Sequence, residues 1–351
     1  MLFIIPKKKM DVKVAAPPSS CTSAQNYDNM KKMIEEGDPV KDLICVGEML
    51  IDFLPGSEEG VFIRMPGGAP ANVAVAVARN NLDVGFCGRM GNDDFGKFLL
   101  QTLNRHNVTA LCPELIDDAT TTMAFVTLNE DGDRSFTFAR KPGADMFLSR
   151  TDVDNAGVVQ ANMVHAGSCS LSKGSAADAT RYALEAAHKA GKLVSFDVNY
   201  RNLMWDDDRQ ACVHAVTEIL PFVDFLKISE EEEDMMGMPP AQAAEAYHIA
   251  VLVETLGADG ARCYFRGKTF TVPGRKAVCV DATGAGDAFW GGFLSCLLHH
   301  GVTCVDDLTE DLVRQALEYG NIAGWLCVQK KGAMESLPTT EEVQTILAAE
   351  V

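Results

Sequence analysis

The chain has 351 residues, 47% hydrophobic and 23% charged, a globular balance with enough length for one large α/β domain or two ordinary ones. Its formal net charge of −18 argues against a nucleic-acid partner, which calls for a basic footprint, but leaves room for a nucleotide held by a few local donors. No apolar run reaches membrane-span length, the opening MLFII is too short for a signal-peptide core, and eleven cysteines with seven histidines form no CxxC and no metal-ligand spacing.

These features predict a cytoplasmic protein with free thiols and no membrane partner, in which the sequon Asn107-Val108-Thr109 carries no sugar. Residues 1–41 are polar, Pro/Ser-containing and aperiodic, and are predicted to be a flexible N-terminal tail with one short helix in NYDNMKKMIEEGD. The run Lys7-Lys8-Lys9 reads as a solvated part of that tail. From residue 42 to 351 the pattern is that of a single folded domain.

LICVG is a continuous apolar run, read as a buried strand. GGAPANVAVAVARN follows as a helix, with Pro70 suited to the first turn. VGFCG reads as the next strand and DDFGKFLLQTLNRHN as a helix of period near 3.6. TTMAFVTLNEDGDRSFTFAR carries a hairpin signature around Glu130–Asp133. Together with residues 52–65, the hairpin at 120–140 either forms a separate small sheet acting as a lid or packs as an edge hairpin on the core. MVHAG, KLVSFDVN, FVDFLKIS and AVLVETLG are strand-like and alternate with helical stretches, which predicts a mostly parallel sheet with helices on both faces. ARCYFRGKTFTVPG reads as a second hairpin.

Ligands of an open parallel sheet sit beyond the carboxyl ends of its strands, and polar residues gather there. Asp52 follows the first strand, Asn199 and Arg201 follow LVSFD, Ser229 and Glu232 follow DFLKI, Gly257 and Gly260 follow LVETL, and Thr283–Asp287 follow AVCVD. In DATGAGDAFWGGF, the amides of Gly284, Ala285 and Gly286 at a helix start form a concave set of donors for phosphoryl oxygens. The turn is neither a P-loop nor a dinucleotide fingerprint. Asp287 beside it is either a first-turn acid favoured by the helix dipole or a base that takes the proton of an attacking hydroxyl.

Several segments resemble the PfkB (ribokinase-like) carbohydrate kinases, and fructokinases among them. GEMLIDFLP, PGGAPANVAVAVAR, FCGRMGNDDFG, TTMAFVTLNEDGDRSFTFARKPGADM, DVNYRNLMW, LKISEEE, DATGAGDAFWGGF and KGAMESLPT match in the family's order, from about Leu43 to the C-terminus. The resemblance implies a ribokinase-like α/β fold with a small β-sheet lid. It also implies ATP-dependent in-line phosphoryl transfer to a sugar, with Mg²⁺.

By position, the resemblance makes Asp287 the catalytic base and Gly284, Ala285 and Gly286 the anion hole. Asp52, Gly67, Gly68 and Asn72 would hold sugar hydroxyls, with Asn199, Arg140 and Arg201 as further groups for the sugar or the phosphoryl. Lys227 would reach the nucleotide phosphates, and Ser229-x-x-Glu232 replaces the commoner Asn-x-x-Glu, with Glu232 orienting Mg²⁺ through water. Thr255, Gly257 and Gly260 would line the nucleotide, and Asn321 the adenine. Asp281, Thr283 and Gly332 match positions of a K⁺ site in parts of the family. Ala282 stands where many members carry threonine. D-Fructose is the expected acceptor, 2-keto-3-deoxygluconate the rival. A catalytically silent sugar- or nucleotide-binding regulator on the same fold is the reading of another class, disfavoured by the intact GAG turn and Asp287. A homodimer through the lid is implied by the resemblance alone.

Overall fold

The computed structural model describes residues 40–349 other than Glu59 and 129–133. The expected tail and its helix fall almost wholly on residues 1–39, and the turn at Glu130–Asp133 also lies outside the described residues. Thirteen strands are described: β1 (Leu43–Val46), β2 (Leu50–Pro55), β3 (Phe62–Gly67), β4 (Val84–Cys87), β5 (Val108–Ala110), β6 (Met123–Leu128), β7 (Arg134–Ala139), β8 (Met163–Gly167), β9 (Leu193–Asp197), β10 (Phe225–Ser229), β11 (Val251–Thr255), β12 (Gly260–Phe265) and β13 (Lys268–Pro273).

Nine of these form one sheet in the order β13-β12-β11-β10-β9-β8-β1-β4-β5. It is parallel from β11 to β5, and the hairpin β12–β13 adds an antiparallel edge. Buried β1 shows why continuous apolar runs give this layout. Leu43 and Cys45 face one core, with the helices Ala69–Ala78, Asp94–Arg105, Ala285–His299 and Glu310–Cys327. Ile44 and Val46 face the other, with Gly174–Lys189 and Arg209–Ile219. A strand covered on both faces needs apolar side chains at every position. The three-residue edge strand β5 is too short to leave a periodic signal.

The remaining strands form a second sheet, β3-β2-β6-β7. The pairs β2–β3 and β6–β7 are antiparallel, while β2–β6 is parallel. Residues 52–65 and 120–140 thus join in a separate small sheet, the first of the two arrangements left open by the sequence. From β1 the chain builds outward to β4 and β5, then returns beside β1 at β8 and builds the other way. That reversal opens a crevice at the carboxyl ends of β1 and β8.

Candidate active site

Two glycines let the crevice wall form. A Cβ on Gly67 would lie 2.0 Å from Asp52 Oδ2, and one on Gly68 (φ 107°) would lie 2.5 Å from the Glu48 carbonyl oxygen. The first lets the Asp52 carboxylate rest on bare backbone, and the second starts the helix Ala69–Ala78 against the chain leaving β1. Further along, a Cβ on Gly291 would meet Ala76 Cβ at 2.4 Å, so a glycine is what allows this helix and Ala285–His299 to approach closely. Their first turns then meet, and Asn72 Nδ2 donates to Asp287 Oδ2 at 2.7 Å, with both residues buried.

Gly284 holds φ 80° as N-cap of the helix Ala285–His299, a left-handed conformation natural to glycine. Of the three amides expected to form the anion hole, that of Ala285 donates to the Ala282 carbonyl at 3.2 Å. Beneath the turn, Lys227 Nζ lies 3.5 Å from where a Gly286 Cβ would be. The same ammonium donates to Asp197 at 3.0 Å (Oδ1) and 2.8 Å (Oδ2). These two residues are directly opposite on the parallel strands β9 and β10.

Burial dominates the electrostatics. It raises the Asp287 carboxyl above the usual carboxylate range against the Asn72 hydrogen bond and the charges of Lys227 and Arg201. Burial pushes Asp52 up to about 7, with Arg201 opposing and Asp287 adding. It also raises Asp197 to about 6 against the opposing charge of Lys227. Burial alone would lower Lys227, but the carboxylates of Asp197, Glu232 and Asp287 hold its ammonium above the usual value.

Other expected residues are nearby in different states. Glu232, 6% exposed, accepts from Tyr200 N at 2.6 Å and Ser229 N at 2.8 Å, tying the ends of β9 and β10 together. Asn199 adopts a positive φ of 37°, a strained conformation that turns the chain away from β9. Arg201 is exposed and donates to the Tyr200 carbonyl. Arg140 is buried and bound to Asp145 (2.9 Å) and Ser172 (3.0 Å). Asp281 Oδ1 accepts from Thr283 N at 3.0 Å and Thr283 Oγ1 at 2.7 Å, while Oδ2 accepts from Gly332 N at 3.0 Å, so these three positions meet.

A cavity of about 320 Å³ opens on the other side of the GAG turn, lined by Thr255, Gly257, Gly260, Phe289, Asn321 and Trp325, and reaching Ala285 and Gly286. Asn321 Nδ2 donates to the carbonyls of Val272 and Pro273, each at 3.2 Å. Lys227, Ser229 and Glu232 do not line this cavity. A larger one, about 870 Å³, lies at the far end of the same helix around Cys296, His299 and Arg314. It touches none of the expected site residues, so size does not mark the site here and chemistry does. Two of the five expected strand ends are corrected: Asp52 lies inside β2 rather than beyond a strand, and residues 277–281 before the GAG turn form no strand, the turn being placed by the helix Ala285–His299 instead.

The sequence reading missed Asp197, Glu48 and Asp145. Glu48 is 3% exposed, and its Oε2 has no hydrogen-bond partner among the described residues. Burial pushes its carboxyl up to about 7, with its own backbone amide opposing. Both Glu48 and Asp197 could have been found as the acid at the end of an apolar strand run. Asp145 lies beyond the hairpin with no strand to announce it.

Comparison with known proteins agrees with this architecture. The family described as pfkB family carbohydrate kinase matches residues 40–340. A fructokinase-2 of Zea mays is 37% identical over 320 residues, covering 87% of this chain and 94% of that protein. Among solved structures, fructokinase of Xylella fastidiosa with bound ATP superposes with a TM-score of 0.79 at 30% identity, covering 89% of this chain and 99% of the other. A double mutant of Vibrio cholerae O395 fructokinase, in fructose, ADP and potassium ion bound form, gives 0.78 at 32%, covering 89% and 99%.

Proposed function

Because this chain belongs to the pfkB family of carbohydrate kinases, we propose that it transfers the γ-phosphoryl group of ATP to O6 of D-fructose. It is an ATP-dependent sugar kinase. The choice of fructose draws on the fructokinase relatives and on the ligands of the Vibrio cholerae structure. The observation that carries the chemistry is the buried Asp287 carboxylate, oriented by Asn72 at 2.7 Å on the first turn of a helix.

Asp287 accepts the proton of the sugar hydroxyl as its oxygen attacks phosphorus, while the neighbouring turn amides bind the phosphoryl oxygens. Asp52, Asn72 and the bare backbone at Gly67–Gly68 hold the other hydroxyls, with Asn199, Arg140 and Arg201 around them. The nucleotide occupies the cavity at Thr255, Gly257, Gly260 and Asn321. We assign no base role to Asp52, whose oxygen lies against Gly67 rather than the turn.

No group of three or more His, Cys, Asp or Glu is gathered as a metal cage among the described residues. That fits a divalent ion carried on the nucleotide phosphates, and each Glu232 oxygen keeps a lone pair for a water of its shell. Mg²⁺ would neutralise phosphate charge there. For K⁺, Asp281 would supply a carboxylate oxygen beside the turn, while Thr283 and Gly332 meet it through N–H and O–H donors that orient this carboxylate.

The small sheet serves as the lid in this reading. Phe62 and Ile63 on it, with Val61 just before β3, are 42%, 50% and 47% exposed, which supports a homodimer through that surface. No described helix is long and apolar enough to cross a membrane. The ten described cysteines are free, which favours a cytoplasmic location.

The test is ADP release with fructose, glucose, ribose, adenosine and 2-keto-3-deoxygluconate. Fructose is expected to give the highest kcat/KM. No stimulation by any of them would overturn kinase activity, whereas ketodeoxygluconate exceeding fructose would overturn only the sugar assignment.

A further inference from the structure

We infer that Asp197 is a positioning residue, which holds the Lys227 ammonium against the phosphoryl group in flight rather than against the rest of the nucleotide. The inference rests on the kinase reading above and assigns a role that reading leaves open.

The two side chains are 2% and 5% exposed. A buried ion pair is weak evidence for stability, because taking both charges out of water offsets much of their attraction. Two apolar residues on adjacent strands would serve the sheet as well, so the pair calls for another explanation. Its geometry offers one. Lys227 is on the strand beside Asp197 in direct register, and both carboxylate oxygens accept from the same nitrogen at 3.0 and 2.8 Å.

An ammonium has three donors, so one remains for a ligand oxygen. The nitrogen lies 3.5 Å from the position of a Gly286 Cβ, with Cε at 3.7 Å, which is ordinary contact with the floor of the turn. It does not line the cavity assigned to the nucleotide. Its place is therefore the turn, where Asp287 also stands. A long flexible lysine would otherwise sample many rotamers, and the bidentate carboxylate removes that freedom before the reaction begins.

A structural pair and a positioning pair respond differently to being neutralised together. Asp197→Asn and Lys227→Met each leave one buried group without its partner, so each should lower the melting temperature. The double variant Asp197→Asn/Lys227→Met removes both charges and should recover most of that loss. If Asp197 positions Lys227 for transfer, Asp197→Asn, in which Lys227 is intact, lowers kcat at least about tenfold, in the range of a lost charge-stabilising donor, with sugar KM little changed, and kcat stays as low in the double variant although its stability recovers. A loss of less than about tenfold in kcat for Asp197→Asn would overturn the inference. Should Asp197→Asn fail to fold, Asp197→Glu, which keeps the charge and displaces it by one methylene, decides by the same threshold. Wild-type protein that turns over no sugar would instead sink the kinase reading, a separate outcome seen in the control.

Discussion

The two halves of the candidate site are built from different materials. Around the crevice at β1, β9 and β10, Glu48, Asn72, Arg140, Asp197, Lys227 and Asp287 are each at most 9% exposed, and they meet through charge and hydrogen bonds. The cavity across the turn is formed by glycines at left-handed φ, such as Gly257 at 57° and Gly260 at 103°, with Phe289 and Trp325 for walls. A half made of buried polar groups leaves them unpaired when the wrong ligand enters, so it discriminates strongly. One made of backbone and aromatic surface accepts by shape, and its tolerance to change is greater.

The largest blow to the polar half is Asp287→Asn. Losing a general base lowers turnover by about 10²-fold or more, and steady-state kinetics should show this mainly in kcat. In the wild type, burial holds the carboxyl above its ordinary range. Activity should therefore fall with decreasing pH as that raised value is crossed and the base takes up a proton. The residual activity of the Asn variant should lack this acidic limb. Near-normal turnover would reduce the contrast between the halves to a matter of packing.

Asp52→Asn comes next. One hydrogen bond to a charged group is worth about 2 kcal/mol, so kcat/KM for the sugar should fall by somewhat more than tenfold, with KM for ATP unchanged. Asp52 also links pH to stability. Its folded value, pushed up to about 7, exceeds the unfolded one, so the native state binds the extra proton between them. The resulting stability is present at low pH and is lost as pH rises through about 7. Melting curves across pH 5–8 should slope downward for the wild type and less steeply for Asp52→Asn.

The polar half was partly legible in the sequence because the ends of buried strands can be found where continuous apolar runs stop. LVSFD and DFLKIS mark where β9 and β10 stop, and the acids and glycines beyond them are candidates without any structure. Lateral relations were not legible. That Asp197 lies opposite Lys227 depends on the register of two strands separated by a helix, and that Asn72 reaches Asp287 depends on a helix crossing permitted by Gly291 and Ala76. Glu48 was overlooked because an acid directly after an apolar run looks like the strand's exposed end. Its burial becomes visible only when Gly68 and the chain after β1 pack together. On the side proposed for the nucleotide the turn glycines were readable, whereas nothing in the sequence gave Trp325 and Phe289 a role until the cavity placed both on its wall.

The smallest expected effect tests the tolerant half. Asn321 Nδ2 is shared between the carbonyls of Val272 and Pro273, at 3.2 Å each. Its first task is thus to fasten the helix Glu310–Cys327 to the end of β13, and both bonds are at the long limit of their kind. Asn321→Ala removes them from one side of the cavity proposed for the nucleotide without touching the crevice. A neutral, long hydrogen bond contributes about 1 kcal/mol to the fold, so loosening this wall of the cavity should raise KM for ATP by at most about fivefold. Sugar KM and kcat should stay near wild type, since no charge has been left unpaired near Asp287. Turnover falling as steeply as is expected of Asp287→Asn would show that the two halves are one mechanical unit, with β13 holding the GAG turn in place through Asn321, and the contrast between them would then be one of composition only.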